Sequence, residues 1–599
     1  MVRGKKALCL LLLCLIAAVM CACGKDADGR EKKATDTPTG EASQPTETPA
    51  ELTETPTATA TPVETPTETV TPTEAPTPSV IPAAVPWPDK GCAISFPERE
   101  LYHYDMDLTL NPSDRTLRGH VIFDFYNDSG DTWDTLCFRD YSSLFIDAKT
   151  AGYGAKEYSP NGALTEITNI RDGRNDTVLS FERDKDVSVI WMKPATPLAP
   201  GEKMTLSFDF TAKIPTVADR YGVCDDVWNV TNFYPILAEY DGNGWSHEAF
   251  VACGECFYSE VSNYDVRLSV PKGFIVASTG TESSRKEEGD RVVYTMKAPC
   301  VRDFVFSASD RFVVHEADFD GVHVNLMYNG KLDNEVFWYD ESPYRVGMSD
   351  AVQASLKAAK DSLAAFGEAL GRYPYDELDI IISKIDAGGM EYPNLIIITD
   401  EEIYPMGIAE NPEAQDPEQM VFKPSFEPLE TCIAHEIGHQ WFMGIVGSNS
   451  GIEPWLDESI TSYTEVIYKE YLSARGVPDD RYDFSLRLSR RTTDMCDVTQ
   501  LKYMMQRGML PLNQSYYEFK TDDDYISAIY SEGQRALFQM EEILGHDEFM
   551  AVLREYVRRN AFTNSDTSKF FEVLFERAGR DNADLNKLID NLFDLDRVK

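Results

Sequence analysis

The spacing of apolar residues changes part-way along the chain, and this change limits the folds open to it. Between residues 100 and 310, apolar side chains alternate with polar ones, as in the run 102–110. Such alternation, broken by Gly, Asn, Asp and Pro, is typical of a mainly antiparallel β domain. From about residue 345 the spacing becomes helical, and the first helical run stops at Gly371. The sequence therefore predicts a β domain followed by a mixed domain with a small sheet and many helices.

This folded part of the chain follows two segments of different character. Residues 1–23 read as a signal peptide, and residues 24–90 read as a stalk rich in Thr, Pro and Glu. The β domain is expected at 91–312 and the α+β, mostly helical domain at 313–599. We thus expect a multi-domain protein.

The first segment has the features of an export signal. Three basic residues precede a 14-residue apolar run from Ala7 to Met20. A helix that spans a bilayer needs about 20 such residues, so this run is short for a permanent span. We therefore expect the folded part to lie outside the cytoplasm.

Cysteines at the end of this segment predict a lipid anchor. Small residues before a cysteine resemble the bacterial lipoprotein signal, in which that cysteine becomes N-terminal and lipidated. Cys23, preceded by Ala22, is the better candidate, and Cys21 is the alternative. An ordinary secretory signal with incidental cysteines also remains open. We expect an extracytoplasmic protein, lipid-anchored to the membrane at the bacterial cell surface.

The stalk has too few large apolar side chains to bury a core. Residues 31–90 hold 12 of the chain's 33 prolines, repeatedly as Thr-Pro. Proline favours extended polyproline II structure, and a segment of this composition stays disordered. We expect it to hold the folded part away from the membrane.

The charge of the chain excludes two kinds of partner. It carries 56 Lys and Arg against 100 Asp and Glu, a formal charge of −44. Contacts to phosphates need a basic face, so we expect no nucleic-acid partner. Docking on anionic lipid through a basic patch is excluded for the same reason.

The most specific pattern in the chain is His435-Glu436-Ile437-Gly438-His439. Two histidines four residues apart lie on one face of a helix, close enough to bind one ion. The chain has only 8 histidines. A chance match to H-E-x-x-H is therefore expected roughly 0.02 times. Glu458 follows 19 residues after His439, which leaves room for a second helix that returns to the metal. Two imidazoles and one carboxylate suit one Zn²⁺, with the fourth position left for water.

These residue types together point to hydrolysis. Zinc lowers the pKa of a bound water to about 7 and polarises a carbonyl group. Glu436 cannot easily reach a metal held by its flanking histidines, but it can accept the proton of the water and pass it to a leaving amine. The alternative is a buried histidine pair with an incidental glutamate, and the position of Glu458 speaks against it.

His435-Glu436-x-x-His439, followed after 18 residues by Glu458, resembles the signature of the aminopeptidase N family of gluzincin zinc metallopeptidases. The neighbouring Trp441-Phe442 and Trp455-Leu456-Asp457 are similar too. The resemblance covers residues 95–599. It implies a saddle-like β-sandwich followed by a thermolysin-like catalytic domain. It further implies that His435, His439 and Glu458 are the zinc ligands and that Glu436 is the general base. The chain ends soon after that domain, so we expect it to lack the large helical C-terminal domain of some members.

Two further segments resemble the family. Gly388-Gly389-Met390-Glu391 is similar to the family's G-x-M-E-N strand, which pairs with the substrate backbone. The resemblance implies that Glu391 holds the free α-ammonium group of a peptide, although a tight turn with a solvated carboxylate is the alternative. Tyr392 stands where the family usually has Asn. Tyr530 with Gly533 resembles the Y-x-x-G motif, whose tyrosine donates to the oxyanion; a core tyrosine is the alternative, and Tyr525 is the fallback.

Two other acidic residues are weaker candidates. The family often places a second amine-binding acid or glutamine in the β domain within a Q-x-E stretch, which this sequence lacks. Glu239, within 230–245, is one weak candidate. Glu465 shares a helical face with Glu458 and could orient a ligand histidine, although a solvated surface acid is an equal reading.

The sequence thus predicts a membrane-anchored extracellular zinc aminopeptidase that acts on peptide substrates. A zinc endopeptidase of the same fold is the alternative among enzymes. A surface peptide-binding protein without turnover is the alternative from another class, although a mere binder has no need of the base Glu436.

Overall fold

The computed structural model describes residues 93–597, apart from 148–149, 151–163, 252, 338–345, 410–421 and 478–494. The predicted signal peptide, the stalk and the lipidation site Cys23 lie outside the described residues. Within the described part, every helix is too short or too polar to cross a membrane.

The first half of the described chain consists mainly of β-strands. In chain order they are β1 (Tyr102–Asn111), β2 (Thr116–Tyr126), β3 (Leu136–Arg139), β4 (Glu166–Asp172), β5 (Thr177–Val178), β6 (Phe181–Arg183), β7 (Val189–Met192), β8 (Lys203–Lys213), β9 (Tyr221–Cys224), β10 (Val227–Val230), β11 (Ile236–Leu237), β12 (Tyr240–Asp241), β13 (Gly244–Trp245), β14 (Ser262–Pro271), β15 (Ile275–Ser278), β16 (Thr281–Glu288), β17 (Arg291–Val301) and β18 (Phe306–Ser309). A 3₁₀ turn covers Tyr141–Ile146.

These strands form one large sheet, two four-stranded sheets and the two-stranded pair β12-β13. The large sheet has eight strands in the order β16-β17-β14-β1-β2-β8-β4-β5, and the smaller sheets have the orders β15-β18-β10-β9 and β11-β3-β7-β6. β1 pairs antiparallel with β2 and parallel with β14. Along β1 the five predicted apolar positions are all buried, while the intervening residues are partly or fully exposed. The alternation in the sequence therefore marks one face that packs on the core.

The second half of the described chain has a small sheet and nine α-helices. Its strands are β19 (Phe312–Phe319), β20 (Val322–Asn329), β21 (Val336–Phe337), β22 (Val346–Gly347), β23 (Glu377–Ser383), β24 (Gly389–Met390), β25 (Leu395–Thr399), β26 (Met406–Ala409), β27 (Phe422–Ser425), β28 (Val446–Gly447) and β29 (Thr563–Asn564). Its helices are α1 (Met348–Ala369), α2 (Glu427–Gly438), α3 (Ile460–Ala474), α4 (Val498–Arg507), α5 (Asp522–Ile526), α6 (Gly533–Leu544), α7 (His546–Asn560), α8 (Thr567–Ala578) and α9 (Ala583–Leu592).

The sheet of this half has the order β19-β20-β23-β25-β24. β20, β23 and β25 run parallel, and the short β24 pairs antiparallel with β25 at one end of the sheet. The runs predicted as β-rich at 378–385 and 394–399 correspond to β23 and β25, which are almost completely buried. Helix α1 ends at Ala369, two residues before Gly371, as its apolar spacing predicted. Gly371 adopts a φ of 123°, a conformation that residues with a side chain rarely take.

The core of this half holds α2 in place from several sides. Trp441, just beyond α2, is fully buried against Phe366 of α1 and Tyr373. Its indole Nε1 donates to the carbonyl of Gly371 at 2.9 Å. Two π-helical turns, Trp455–Ser459 and Ser527–Glu532, pack near the start of α3. Such turns are rare and occur frequently at functional sites.

Arg302 joins the β-strand region to the second half of the chain. It follows β17 and is 5% exposed. Its Nε donates to the carbonyls of Met443 at 2.6 Å and Gly444 at 3.1 Å. Its Nη1 donates to Asn564 Oδ1 at 2.5 Å, and its Nη2 donates to the carbonyl of Thr563 at 2.8 Å. The guanidinium group thus fixes the turn that follows α2.

We expect Arg302→Met to lower the free energy of unfolding by about 3–5 kcal/mol, because it leaves buried carbonyls without their donor and removes one of the two cations near Glu260. Arg577→Met removes a surface ion pair with Glu548 and should change the free energy of unfolding by less than about 1 kcal/mol. Denaturant unfolding of both variants checks this. Equal stability of the two variants would show that Arg302 does not stabilise the contact between the β-strand region and the second half of the chain.

Candidate metal centre

Helix α2 and the first π-helical turn bring three ligand atoms together. His435 Nε2 and His439 Nε2 are 3.2 Å apart. Each lies 3.4 Å from Glu458 Oε2. Ligand atoms about 2.0–2.1 Å from a tetrahedral zinc ion lie about 3.3 Å from one another. The triangle formed by these atoms therefore fits one zinc ion with a fourth position open.

The electrostatics of these three side chains also indicate a cation. Glu458 is 3% exposed, and its Oε2 has no hydrogen-bond partner among the described residues. Burial alone would raise the pKa of Glu458, but the charges of His439 and His435 lower it. Burial lowers the pKa of His435, but Glu458 and Glu465 outweigh this and raise it to about 9. A buried carboxylate without a donor is costly, and a bound metal ion removes that cost.

Further groups orient both imidazole rings. Glu465 Oε1 lies 2.9 Å from His435 Nδ1. His439 Nδ1 lies 3.0 Å from the Phe442 carbonyl oxygen, and the carboxylate of Asp457 lies beside the same ring at 2.9 Å. Ser450 Oγ donates to Asp457 Oδ2 at 2.6 Å. A partner at Nδ1 fixes the ring so that Nε2 faces the metal position. Of the two roles considered for Glu465, the structure therefore favours orientation of a histidine. Asp457 was not identified from the sequence, although it precedes the ligand Glu458.

Glu436 lies on α2, and its carboxylate approaches Gly389 of the strand β24. Its carboxylate is buried, and burial raises its pKa to about 7. A Cβ atom built on Gly389 would lie 2.3 Å from Glu436 Oε1. A residue with a side chain at position 389 would therefore displace the carboxylate, so this glycine permits the close approach of strand and base.

Glu391 follows β24 and lies on the same side of the centre. It is 4% exposed, and its Oε1 has no hydrogen-bond partner in the described part of the chain. Carboxylate oxygens of Glu391 and Asp457 and a ring nitrogen of His439 lie within 4.8 Å of one another. Burial and the charge of Glu255 raise the pKa of Glu391 well above its usual value. The structure therefore excludes the solvated carboxylate considered as an alternative.

Tyr392, in the position usually held by Asn in the family, contacts the β-strand region. Its hydroxyl donates to Thr231 Oγ1 at 2.8 Å or to Asn232 Oδ1 at 2.9 Å. Gln440, directly after His439, holds the same segment. Its Nε2 donates to the carbonyl of Tyr392 at 3.2 Å, and its Oε1 accepts from the amide of Asn394 at 2.8 Å. The segment that carries Glu391 is thus held by the β-strand region on one side and by Gln440 on the other. Neither contact follows from the motif.

Tyr530 projects toward the metal ligands from the second π-helical turn. Its ring stacks on that of His435, with centroids 6.1 Å apart and planes at 21°. Burial and the charge of Glu458 raise its pKa well above its usual value, so the phenol keeps its proton. Tyr525, the fallback residue, is 1% exposed. A Cβ built on Gly254 would lie 2.6 Å from the Tyr525 hydroxyl, so this tyrosine packs under the 253–256 segment.

Glu239, the weak candidate for a second amine-binding acid, is not placed among these residues. Its charged neighbours are Glu260, Asp128 and Arg302, at the junction described above. Glu255 is found near the centre instead. The charges of Glu458 and Asp457 act on its carboxylate, and burial raises its pKa to about 7. Glu255 was not predicted from the sequence, because it does not stand in a Q-x-E stretch. It is a single acid that follows a glycine, and such a pattern is not specific.

Comparison with known proteins agrees with this geometry. Residues 354–594 match the Peptidase family M1 domain. Over these residues the chain is similar to the aminopeptidase N family of gluzincin peptidases. The family resemblance seen in the sequence motifs is thereby confirmed.

Two curated relatives show the extent of the similarity. Aminopeptidase M1-B of Oryza sativa subsp. japonica is 24% identical over 420 residues, which is 68% of this chain and 42% of the relative. Aminopeptidase N of Streptomyces lividans is 22% identical over 215 residues, 35% of this chain and 22% of the relative. The chain thus spans less than half the length of these relatives.

Solved structures share the fold. The crystal structure of an M1 zinc metallopeptidase mutant from Deinococcus radiodurans covers 82% of this chain and 94% of its own, at 14% identity and a TM-score of 0.51. The crystal structure of the M1 zinc metallopeptidase from the same organism covers 83% and 93%, also at 14% identity, with a TM-score of 0.50. The chain therefore has the two-domain arrangement of these proteins, with a strand-rich N-terminal domain and a helical C-terminal domain.

We expect Glu465→Gln to weaken zinc binding about 10- to 100-fold, because the imidazole of His435 loses its charged partner. Competition with a chromogenic chelator measures the affinity. Glu542→Gln, which changes an exposed acid on α6, is the matched control. Equal zinc affinity in both variants would contradict the role of Glu465.

Proposed function

We propose that the protein is a zinc aminopeptidase that removes residues from the N-terminus of peptides. The observation that carries this proposal is the buried Glu391 oxygen without a donor, close to the ring of a metal ligand. A carboxylate in this position can accept hydrogen bonds from a free α-ammonium group. Recognition of the ammonium group next to the metal would place the first peptide bond of a substrate at the reactive centre.

His435, His439 and Glu458 would hold the zinc ion. When bound, zinc supplies a water of lowered pKa and polarises the scissile carbonyl. Glu436 takes up the proton of the attacking water in its carboxylate and later delivers it to the leaving amine. Its raised pKa suits both steps, because a base near neutral pH can also act as an acid.

The other residues bind the substrate and stabilise charge. The backbone of Gly389 and Met390 at the end strand β24 offers an edge for an extended peptide. Glu391 and Glu255 bind the ammonium group. Tyr530 donates a hydrogen bond from its phenol to the developing oxyanion, which it can do because its raised pKa keeps the phenol protonated.

Two alternatives to this function are distinguishable. An endopeptidase of the same fold would have no use for Glu391, because the peptide it cleaves presents no ammonium group there. A peptide-binding protein without turnover would have no use for Glu436. The buried position of both carboxylates favours the aminopeptidase.

The deciding experiment compares a tripeptide amide with its N-acetylated form. We expect cleavage of the free peptide and a loss of about 10²-fold or more in kcat/KM for the acetylated peptide, because Glu391 then has no ammonium partner. Chromatography of the products measures both rates.

Glu436→Gln should reduce the rate on the free peptide by about 10²–10⁴-fold while zinc content stays at one per chain. Equal cleavage of both peptides would favour the endopeptidase, and no cleavage by the zinc-loaded protein would favour the binder.

We expect Tyr530→Phe to reduce kcat by about 10²–10³-fold with little change in KM, because the phenol acts on charge that develops in the transition state. Tyr525→Phe is the matched control and should retain kcat within about threefold. Steady-state kinetics on the free tripeptide amide check this. A larger effect at Tyr525 would transfer the role to that residue.

We also propose that the protein is exported and lipid-anchored through Cys23. The basic and apolar residues before this cysteine support the proposal. Incorporation of an alkyne-labelled fatty acid tests it in bacterial cells. We expect label in the native protein and in Cys21→Ala, and none in Cys23→Ala; label that persists in Cys23→Ala would contradict it.

A further inference from the structure

Arg220 is a buried cation of the β-strand region, directly before β9. Its side chain is 11% exposed, and so is almost completely removed from solvent. Its Nη1 lies 3.0 Å from Glu255 Oε1 and 3.1 Å from Oε2, so one nitrogen donates to both carboxylate oxygens. Its Nε lies 3.8 Å from Asp219 Oδ1. The guanidinium plane also lies over the ring of Phe257, with Cζ 5.7 Å from the ring centroid.

A chain of hydrogen bonds links Arg220 to Glu391. Thr231 Oγ1 donates to the carbonyl of Arg220 at 2.9 Å. The hydroxyl of Tyr392 lies 2.8 Å from the same Thr231 oxygen and 2.9 Å from Asn232 Oδ1, and it can donate to either. Tyr392 is the neighbour of Glu391 in sequence. The backbone of Arg220 and the segment that carries Glu391 are therefore fixed relative to each other through one threonine.

The position of the Glu255 carboxylate depends on contacts made by the short segment that carries it. The preceding Gly254 has a φ of 115°, in the region that favours glycine, and it packs on the Tyr525 hydroxyl. The carboxylates of Glu391 and Glu255 repel each other. Without a cation behind it, Glu255 would turn away from Glu391 or take up a proton, and either change would weaken its bond to an ammonium group.

We propose that Arg220 is a positioning residue that holds the Glu255 carboxylate in place as the second anchor for the ammonium group of a peptide substrate. The assignment rests on the proposed aminopeptidase function. Arg220 offsets part of the negative charge of the two anchors, which remain negative overall and so complement a cationic ammonium group. It acts through Glu255 and does not touch the substrate.

The test measures peptide binding without turnover. The zinc-loaded full chain carrying Glu436→Gln is titrated by calorimetry with a tripeptide amide and with its N-acetylated form. In this parent protein, we expect the free peptide to bind more tightly. Arg220→Met should then weaken binding of the free peptide about 10- to 100-fold and leave binding of the acetylated peptide unchanged. Arg220→Lys should fall between the two, because lysine keeps the charge but lacks the planar fork.

A double-mutant cycle shows whether Arg220 acts through Glu255. We expect Glu255→Gln to weaken binding of the free peptide, and the addition of Arg220→Met to weaken it no further. Arg139→Met is the matched control. Arg139 is an equally buried arginine of the β-strand region that donates to Ser188 Oγ at 3.1 Å, so its loss should lower stability without selective loss of the free peptide.

The outcomes separate the two proposals. If the parent protein binds free and acetylated peptides equally, ammonium recognition itself fails, and the role of Arg220 fails with it. If the parent discriminates but Arg220→Met discriminates equally well, only the role of Arg220 is overturned. Additive losses in the double variant, or the same selective loss in Arg139→Met, also overturn it. Thermal melting of every variant confirms that each one is folded.

Discussion

The candidate metal centre is dominated by buried carboxylates, and their negative charge needs a cation to balance it. Glu391, Glu436, Asp457 and Glu458 are all less than one-tenth exposed, and the two histidines are the nearest groups that can balance them. Such a cluster is unfavourable in a protein interior unless a metal ion, or a charged substrate, supplies positive charge. The fold therefore has to provide rigid support for groups that repel one another.

That support comes from both halves of the chain. Gln440 ties the end of α2 to the segment around Tyr392, and Thr231 ties the same segment to the strand-rich half. Arg302 fixes the turn after α2 by hydrogen bonds to its carbonyl groups. These contacts couple the position of the metal ligands to the position of Glu391. The distance between the metal ligands and Glu391 thus depends on contacts from both halves.

Local patterns in the sequence predicted much of the fold and the central residues. The alternation along 102–110, the end of α1 before Gly371 and the pairing of His435 with His439 all depend on periodicity, which acts over a few residues. The order of the sheets was not predictable in this way, because β1 pairs with β14 about 160 residues later. The contacts that hold the site in place also join residues that are far apart in the sequence.

The residues that motif reasoning missed illustrate this limit. Asp457 and Gln440 stand beside recognised residues, but their roles follow from contacts with Ser450 and Asn394. Glu255 reaches the centre only because a loop of the strand-rich half folds over Tyr525. Glu239 had a suitable position in the sequence, but the fold directs it to the Arg302 junction. A side chain's type indicates its chemistry, whereas tertiary packing decides its neighbours.

The two π-helical turns have a consequence for how such a protein can change over evolution. Each turn accommodates one residue more than an ordinary helical turn, and each carries a residue of the centre, Glu458 or Tyr530. Deleting one residue from either turn would restore regular helical geometry, and it would thereby remove the local distortion on which Glu458 or Tyr530 is placed. Point substitutions can be accepted gradually here, but changes in length cannot. We therefore expect insertions and deletions among descendants of this chain to accumulate in other loops and to spare these two turns.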